Sequence, residues 1–174
     1  MEDLEMKLRE LDVKDAPFML EWMHSADVVK NLQADFASKT ITDCENFISS
    51  AQNSSKDLHL AIVDDNDEYM GTVSLKHITN KNAEFAITIR NKAMGKGFSK
   101  YGMNKIIEQG LKKYGLEEVY WCVSPENKRA VRFYDKNGYK RIIMNEDTEL
   151  LDTINKFAAY TDDQIKEYIW YVAK

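Results

Sequence analysis

The chain is poor in the residues that staple or interrupt a fold: two cysteines, two prolines and seven glycines among 174 residues. Cys44 and Cys122 form no CxxC pair and take no metal-ligand spacing with His24, His59 and His77, so neither a disulfide framework nor a metal site is expected. No run approaches the roughly 20 apolar residues of a membrane span, and the opening MEDLEMKLRE is charged rather than signal-like. A cytoplasmic protein without a membrane partner is expected. Positive charge is not clustered either: 24 Lys and Arg stand against 29 Asp and Glu, net −5. Binding nucleic acid needs clustered positive charge, so that class is disfavoured and a neutral or cationic small partner fits better.

What is present suffices for a core. With 44% hydrophobic residues, a chain of this length buries roughly two thirds of its unfolded surface as one domain, taken here as residues 1–174. Lys7–Leu11 alternates like a strand. Asp12 offers an N-cap for a helix to about Met23, and Thr42 with Glu45 forms a capping box for a second helix to about Asn53. Three strand-like runs follow, Leu58–Val63, Tyr69–Ile78 and Ala83–Ile89, whose short polar connections predict an antiparallel meander. Phe98–Tyr114 reads as a helix stopped at Gly115, with Gly102 and Gly110 marking close approach to its backbone. Val119–Val123 is a nearly continuous apolar strand, expected to be central and parallel to the one before the helix. Ser124 as cap and Pro125 at the first helical position predict a helix ended by Gly138, then a strand Tyr139–Met144. A helix at about 147–159, a helical turn from Thr161 and a closing strand Tyr168–Ala173 complete an α+β domain.

The segment from Ala83 to Tyr114 carries the first chemical signal. A helix N-terminus holds unpaired N–H groups and about half a positive charge, which suits a phosphate. Gly95 and Gly97 let the backbone approach phosphate oxygens, and Lys92 and Lys96 would add charge around them. Further on stands SPENKRAVRFYDKNGYKRI. Together, Gly95-Lys96-Gly97-Phe98 after a strand, Asn127-Lys128-Arg129-Ala130, Phe133-Tyr134 and Asn137-Gly138-Tyr139 resemble the GNAT acyltransferase superfamily, over about residues 6–144 and most specifically 83–140. The layout is similar to its ribosomal-protein N-terminal, spermidine and nucleotide-sugar branch. Two departures stand out: Lys92 where that loop usually begins with Gln or Arg, and Tyr101-Gly102 where Ala is frequent.

The resemblance implies a mixed, mostly antiparallel central sheet splayed at a parallel strand pair and flanked by helices, with a helical insertion at about 145–167. It implies acetyl-CoA as donor and, as acceptor, a primary amine of a small molecule (polyamine or amino sugar) or a protein N-terminus. Carried over by position, Ile87, Thr88 and Ile89 would face the pantetheine arm and acetyl carbonyl. Met94, Gly95, Lys96, Gly97, Phe98 and Ser99 would take the pyrophosphate, Asn127 would bond the pantetheine, and Tyr134 would lie beside the thioester sulfur.

The chemistry sets requirements. An aliphatic ammonium has a pKa near 10.4, so the neutral nucleophile costs roughly 4–5 kcal/mol at pH 7. The resembled family often places a carboxylate on this strand, which makes Glu84, on the face opposite Phe85, Ile87 and Ile89, the candidate base, alone or through a water chain. Tyr134 is the candidate donor to the leaving thiolate. Cys122 has no nearby histidine to activate it, so direct transfer is expected over an acetyl-cysteine route. Acidic residues of the first helices and of 146–152 are candidates to attract a cationic acceptor, and the insertion is a candidate lid or homodimer contact. A non-catalytic CoA-binding sensor is the alternative function.

Overall fold

Among the described residues of the computed structural model, 5–30, 32 and 34–174, seven strands form one sheet. They are β1 (Lys7–Glu10), β2 (Leu58–Val63), β3 (Tyr69–Lys76), β4 (Asn82–Ile89), β5 (Glu118–Val123), β6 (Lys140–Ile142) and β7 (Ile169–Ala173). Their order across the sheet is β1-β2-β3-β4-β5-β7-β6, antiparallel except for β4 beside β5. The meander and the parallel pair are thus as the sequence predicts. The closing strand lies between β5 and β6 rather than at an edge.

The parallel pairing is short. It joins Asn82, Ala83 and Glu84 to Glu118, Val119 and Tyr120, and beyond that point the two strands separate. Alternation distributes the side chains: Ile62, Val73, Leu75, Phe85 and Trp121 face one core with helix α4 (Phe98–Glu108). Ala61, Val63 and Tyr69 face a second, under α1 (Ala16–Met23) and α3 (Ile41–Gln52). Tyr120 and Trp170 enter a third, covered by α6 (Thr148–Phe157) and α7 (Asp162–Glu167). The expected insertion therefore folds as two helices over this third core. A short helix α2 (Ala26–Val29), not read from the sequence, follows α1.

A Cβ placed on Gly102 would collide with the Ile62 side chain, which explains why this helix tolerates a glycine where the sheet presses closest. The helix ends in a π turn, Gln109–Lys113, before Gly115 at φ 67.

Several boundaries differ from expectation. The capping box of α3 is Thr40 with Asp43, two residues earlier than Thr42 with Glu45. Replacing Thr40 by Ala should cost about 1 kcal/mol in urea unfolding, and Thr42→Ala close to nothing. Strand β3 stops at Lys76, since His77 turns to φ 53. After β5 the helix α5 (Lys128–Lys136) is capped not by Ser124 but by Asn127, whose Oδ1 accepts from the Ala130 N–H at 3.3 Å; Ser124 and Pro125 lie in the preceding turn.

His59 on β2 is packed under Phe47 and shares a 2.6 Å hydrogen bond with Ser74. Burial lowers its pKa, and the nearby Asp57 only partly opposes this. A depressed folded-state pKa means the unfolded chain binds the proton first. Stability contributed by neutral His59 is therefore full above about pH 6.5 and lost as pH falls through the lower folded value. Unfolding free energies between pH 7 and pH 5 should fall less steeply for His59→Gln than for the parent chain.

Candidate active site

Because β4 and β5 part after Glu84 and Tyr120, a slot opens between them on the side of α5. The slot leads into a cleft of about 740 Å3 whose walls include Ile87 and Ile89 of β4 and Ala130, Phe133 and Tyr134 of α5. Its far end is the turn after β4. There Met94, Gly95, Gly97, Ser99 and Lys100 line the cleft, with Gly95 at φ 75 and Gly97 at φ 90. Gly97 is the N-cap of α4 and supplies no side-chain cap. The first N–H groups of that helix are therefore left for an anion. A Cβ on Gly95 would meet nothing within 4 Å, so open space lies over the turn.

The predicted donor residues divide at this point. Ile87, Ile89, Met94, Gly95, Gly97, Ser99 and Asn127 line the cleft. Phe98 is 2% exposed and its side chain belongs to the core under α4. Thr88 pairs with Thr72 on the other face of the strand, and exposed Lys96 lies outside the lining. Lys92 is corrected: its ammonium is 2.6 Å from Glu68, turned toward the β2–β3 connection. Positive charge at the cleft comes instead from Lys30, Lys100, Lys128 and Arg129.

A second cavity of about 240 Å3 adjoins the first, and Ile87, Asn127, Ala130 and Tyr134 belong to the walls of both. Tyr134 is 7% exposed, its ring packed against Trp121 and Tyr171 at 5.5 and 5.1 Å between centroids. Burial pushes its phenol well above the usual tyrosine range, so the hydroxyl keeps its proton near neutrality. That hydroxyl makes no hydrogen bond to a described residue.

Glu84 lies in the smaller cavity at 3% exposure. The Tyr160 hydroxyl donates to its Oε1 at 2.8 Å, and the Lys76 ammonium is 3.3 Å from the same oxygen. Burial raises the Tyr160 phenol far above its ordinary value, which fixes it as a donor. Lys76 sits directly across from Glu84 in the β3–β4 register. Neither Lys76 nor Tyr160 was found from sequence. Tyr160 follows α6, too far along the chain for any spacing rule, whereas Lys76 was accessible from antiparallel register alone. Cys122 shares this cavity, and burial pushes its thiol up to about 12. Trp22 and Trp170 are core residues. Of the acidic candidates, Glu21 is paired with Arg90, Asp35 bonds within its own turn, and only Asp27 reaches the larger cleft.

Comparison with known proteins bears on this arrangement. A profile of the acetyltransferase (GNAT) domain matches residues 5–140. A spermidine N(1)-acetyltransferase of Vibrio cholerae is 23% identical over 140 residues, 78% of this chain and 79% of the relative. A spermidine N-acetyltransferase of Vibrio cholerae, solved with CoA and spermine, superposes with a TM-score of 0.70 at 21% identity, covering 79% of this chain and 82% of the other. A GNAT-family acetyltransferase from Bacillus anthracis gives 0.70 at 16% identity, over 98% and 94% of the two chains. No helix among the described residues is long and apolar enough to cross a membrane.

Proposed function

The chain belongs to the GNAT acetyltransferase family, and from that premise we propose that residues 1–174 form a single enzyme domain passing an acetyl group from acetyl-CoA directly to the primary amine of a small molecule or a protein N-terminus. The observation that carries this reading is Tyr134, a residue of the wall common to the glycine-ended cleft and the small pocket of Glu84.

In this reading the pyrophosphate of the donor lies on the Gly95–Gly97 turn and the α4 N-terminus. Its extended arm follows the free edge of β4 at Ile87–Ile89, as a peptide would add to a sheet. The amine nitrogen attacks the acetyl carbon from the smaller pocket and sheds its proton to Glu84, directly or across one water. The C–S bond then breaks, its electron pair passing to sulfur. Coenzyme A leaves as a thiolate of pKa about 8.5, judged by cysteine. A phenol held above pKa 10 gives up its proton only uphill, so Tyr134 acts as a hydrogen-bond donor to the developing sulfur charge. The Cys122 thiol, at about 12, supplies almost no thiolate near neutrality, which favours direct transfer.

The polyamine acceptor named for the relatives is not carried over at 23% identity. Thiol release from acetyl-CoA should be measured against monoamines, polyamines, amino sugars and peptide N-termini. Release with at least one class is expected, with initial-velocity lines that intersect; parallel lines would restore the cysteine route. Acetyl-CoA at about 100 times its Kd should add about 2.7 kcal/mol to unfolding. Stabilisation without release from any amine would assign the chain as a CoA-binding sensor, and neither effect would remove the reading altogether.

A further inference from the structure

The acceptor pocket carries a cation of its own. Its lining holds two charged side chains among the described residues, Lys76 and Glu84; the remainder is aliphatic, aromatic or neutral polar. The two face each other across the β3–β4 ladder, so their pairing follows from register and needs no rearrangement. Glu84 is 4% exposed at its side chain, Lys76 35%, and the ammonium lies 3.3 Å from Oε1. The same oxygen already accepts from Tyr160 at 2.8 Å.

A buried carboxylate recruits one counter-ion well. A second cation near it meets the first as a like charge in a region of reduced dielectric. An acceptor with one amino group brings a single positive charge, which it gives up in order to react. An acceptor with a second ammonium a few bonds away must place that charge within the same 240 Å3. There it confronts Lys76, which occupies the place a bound polycation would use. We propose that Lys76 is a specificity-determining residue, its ammonium neutralising Glu84 so that the pocket takes monoamines in preference to polyamines. This deepens the acetyl-transfer reading, on which it rests for the identity of the pocket.

The test uses n-butylamine and putrescine, which differ by one terminal ammonium, titrated calorimetrically into protein saturated with CoA, so that no turnover is required. The wild-type protein is expected to bind butylamine at least as tightly as putrescine. Lys76→Met, and Lys76→Gln, which keeps a donor to Glu84 without the charge, should each shift the ratio of affinities toward putrescine by about tenfold or more. Lys76→Arg should keep the wild-type ratio. Combining Lys76→Met with Glu84→Gln should abolish the shift, because the carboxylate that would receive the second ammonium is gone. A wild-type preference for putrescine, an unchanged ratio in Lys76→Met and Lys76→Gln, or a shift that survives the double substitution would each overturn the assignment. The wild-type arm decides even if the variants fold poorly. Thiol release with the two amines runs alongside. Its absence with every amine would defeat acetyl transfer, while the binding ratio would still decide the role of Lys76.

Discussion

Replacing Tyr134 by Phe is expected to lower kcat by roughly tenfold or more, with little change in the KM for acetyl-CoA. The substitution removes one oxygen. The ring remains in its place among Trp121, Tyr139 and Tyr171, so the packing that shapes both cavities is kept. Because the hydroxyl makes no hydrogen bond to a described residue, its loss strands no partner, and thermal stability should be unchanged or slightly higher. A structural role would predict the reverse: lower stability and a parallel change in every kinetic constant. The decisive measurement is therefore the separation of kcat from donor KM, together with a melting curve. An unchanged kcat would remove Tyr134 from the reaction and leave it as an aromatic of the core.

The second large effect is expected at Arg90, the residue that ends the pairing of β4 and begins the loop to the glycine turn. Its guanidinium makes a two-point contact with Glu21 at 3.1 and 2.9 Å. It also donates to Glu68 at 3.1 Å and to the Tyr69 carbonyl at 2.8 Å, while lying 4.5 Å over the Phe18 ring. Arg90→Met removes all of these from a side chain that is 6% exposed. Charge-assisted hydrogen bonds and the cation–π contact together suggest a loss of about 3 kcal/mol. The figure stays below that of a fully buried ion triad because Glu21 is about half exposed and can return to water. In a chain of this length that is a fall in Tm of about 6–12 °C. The same contact anchors the start of the donor loop to α1 and β3, so the KM for acetyl-CoA should rise while kcat at saturation changes little. A melting curve within 2 °C of the parent, by about the same conversion, would show that the contact adds almost nothing.

The candidate donor half of the site was legible because it is local. A glycine turn between a strand and a helix, and an asparagine-to-tyrosine spacing on the next helix, are properties of continuous segments. Folding only brings the two segments together. Even there, side-chain direction was beyond reach. Lys92 stands where the resemblance asks for a loop cation, yet Glu68 captures it from a hairpin the loop merely touches. The acceptor half is the opposite case. Lys76, Glu84, Cys122 and Tyr160 come from three strands and the segment after α6; antiparallel register sets Lys76 opposite Glu84, but no pattern in the chain brings Cys122 and Tyr160 to them.

The helix starts show how narrowly local chemistry can decide. Thr40 with Asp43 and Thr42 with Glu45 are equally good capping boxes on paper. The earlier one is used, in a helix that puts Cys44 and Ile48 against α1 and β2, so core burial selects between two caps of similar strength. Similarly, Ser124 and Asn127 are both competent caps, and the turn after β5 gives the place to Asn127.

Hydrophobic period, turn chemistry and the glycine loop were enough, from sequence by itself, to set the order of the strands along the chain and the glycine turn that opens α4, since each depends on residues within a few positions of one another. The tertiary structure alone decided where β7 enters the sheet, that Tyr160 reaches Glu84, and that Tyr134 lines two cavities. Those outcomes depend on distances between segments remote in the chain, which burial and register fix only when the whole sheet is assembled.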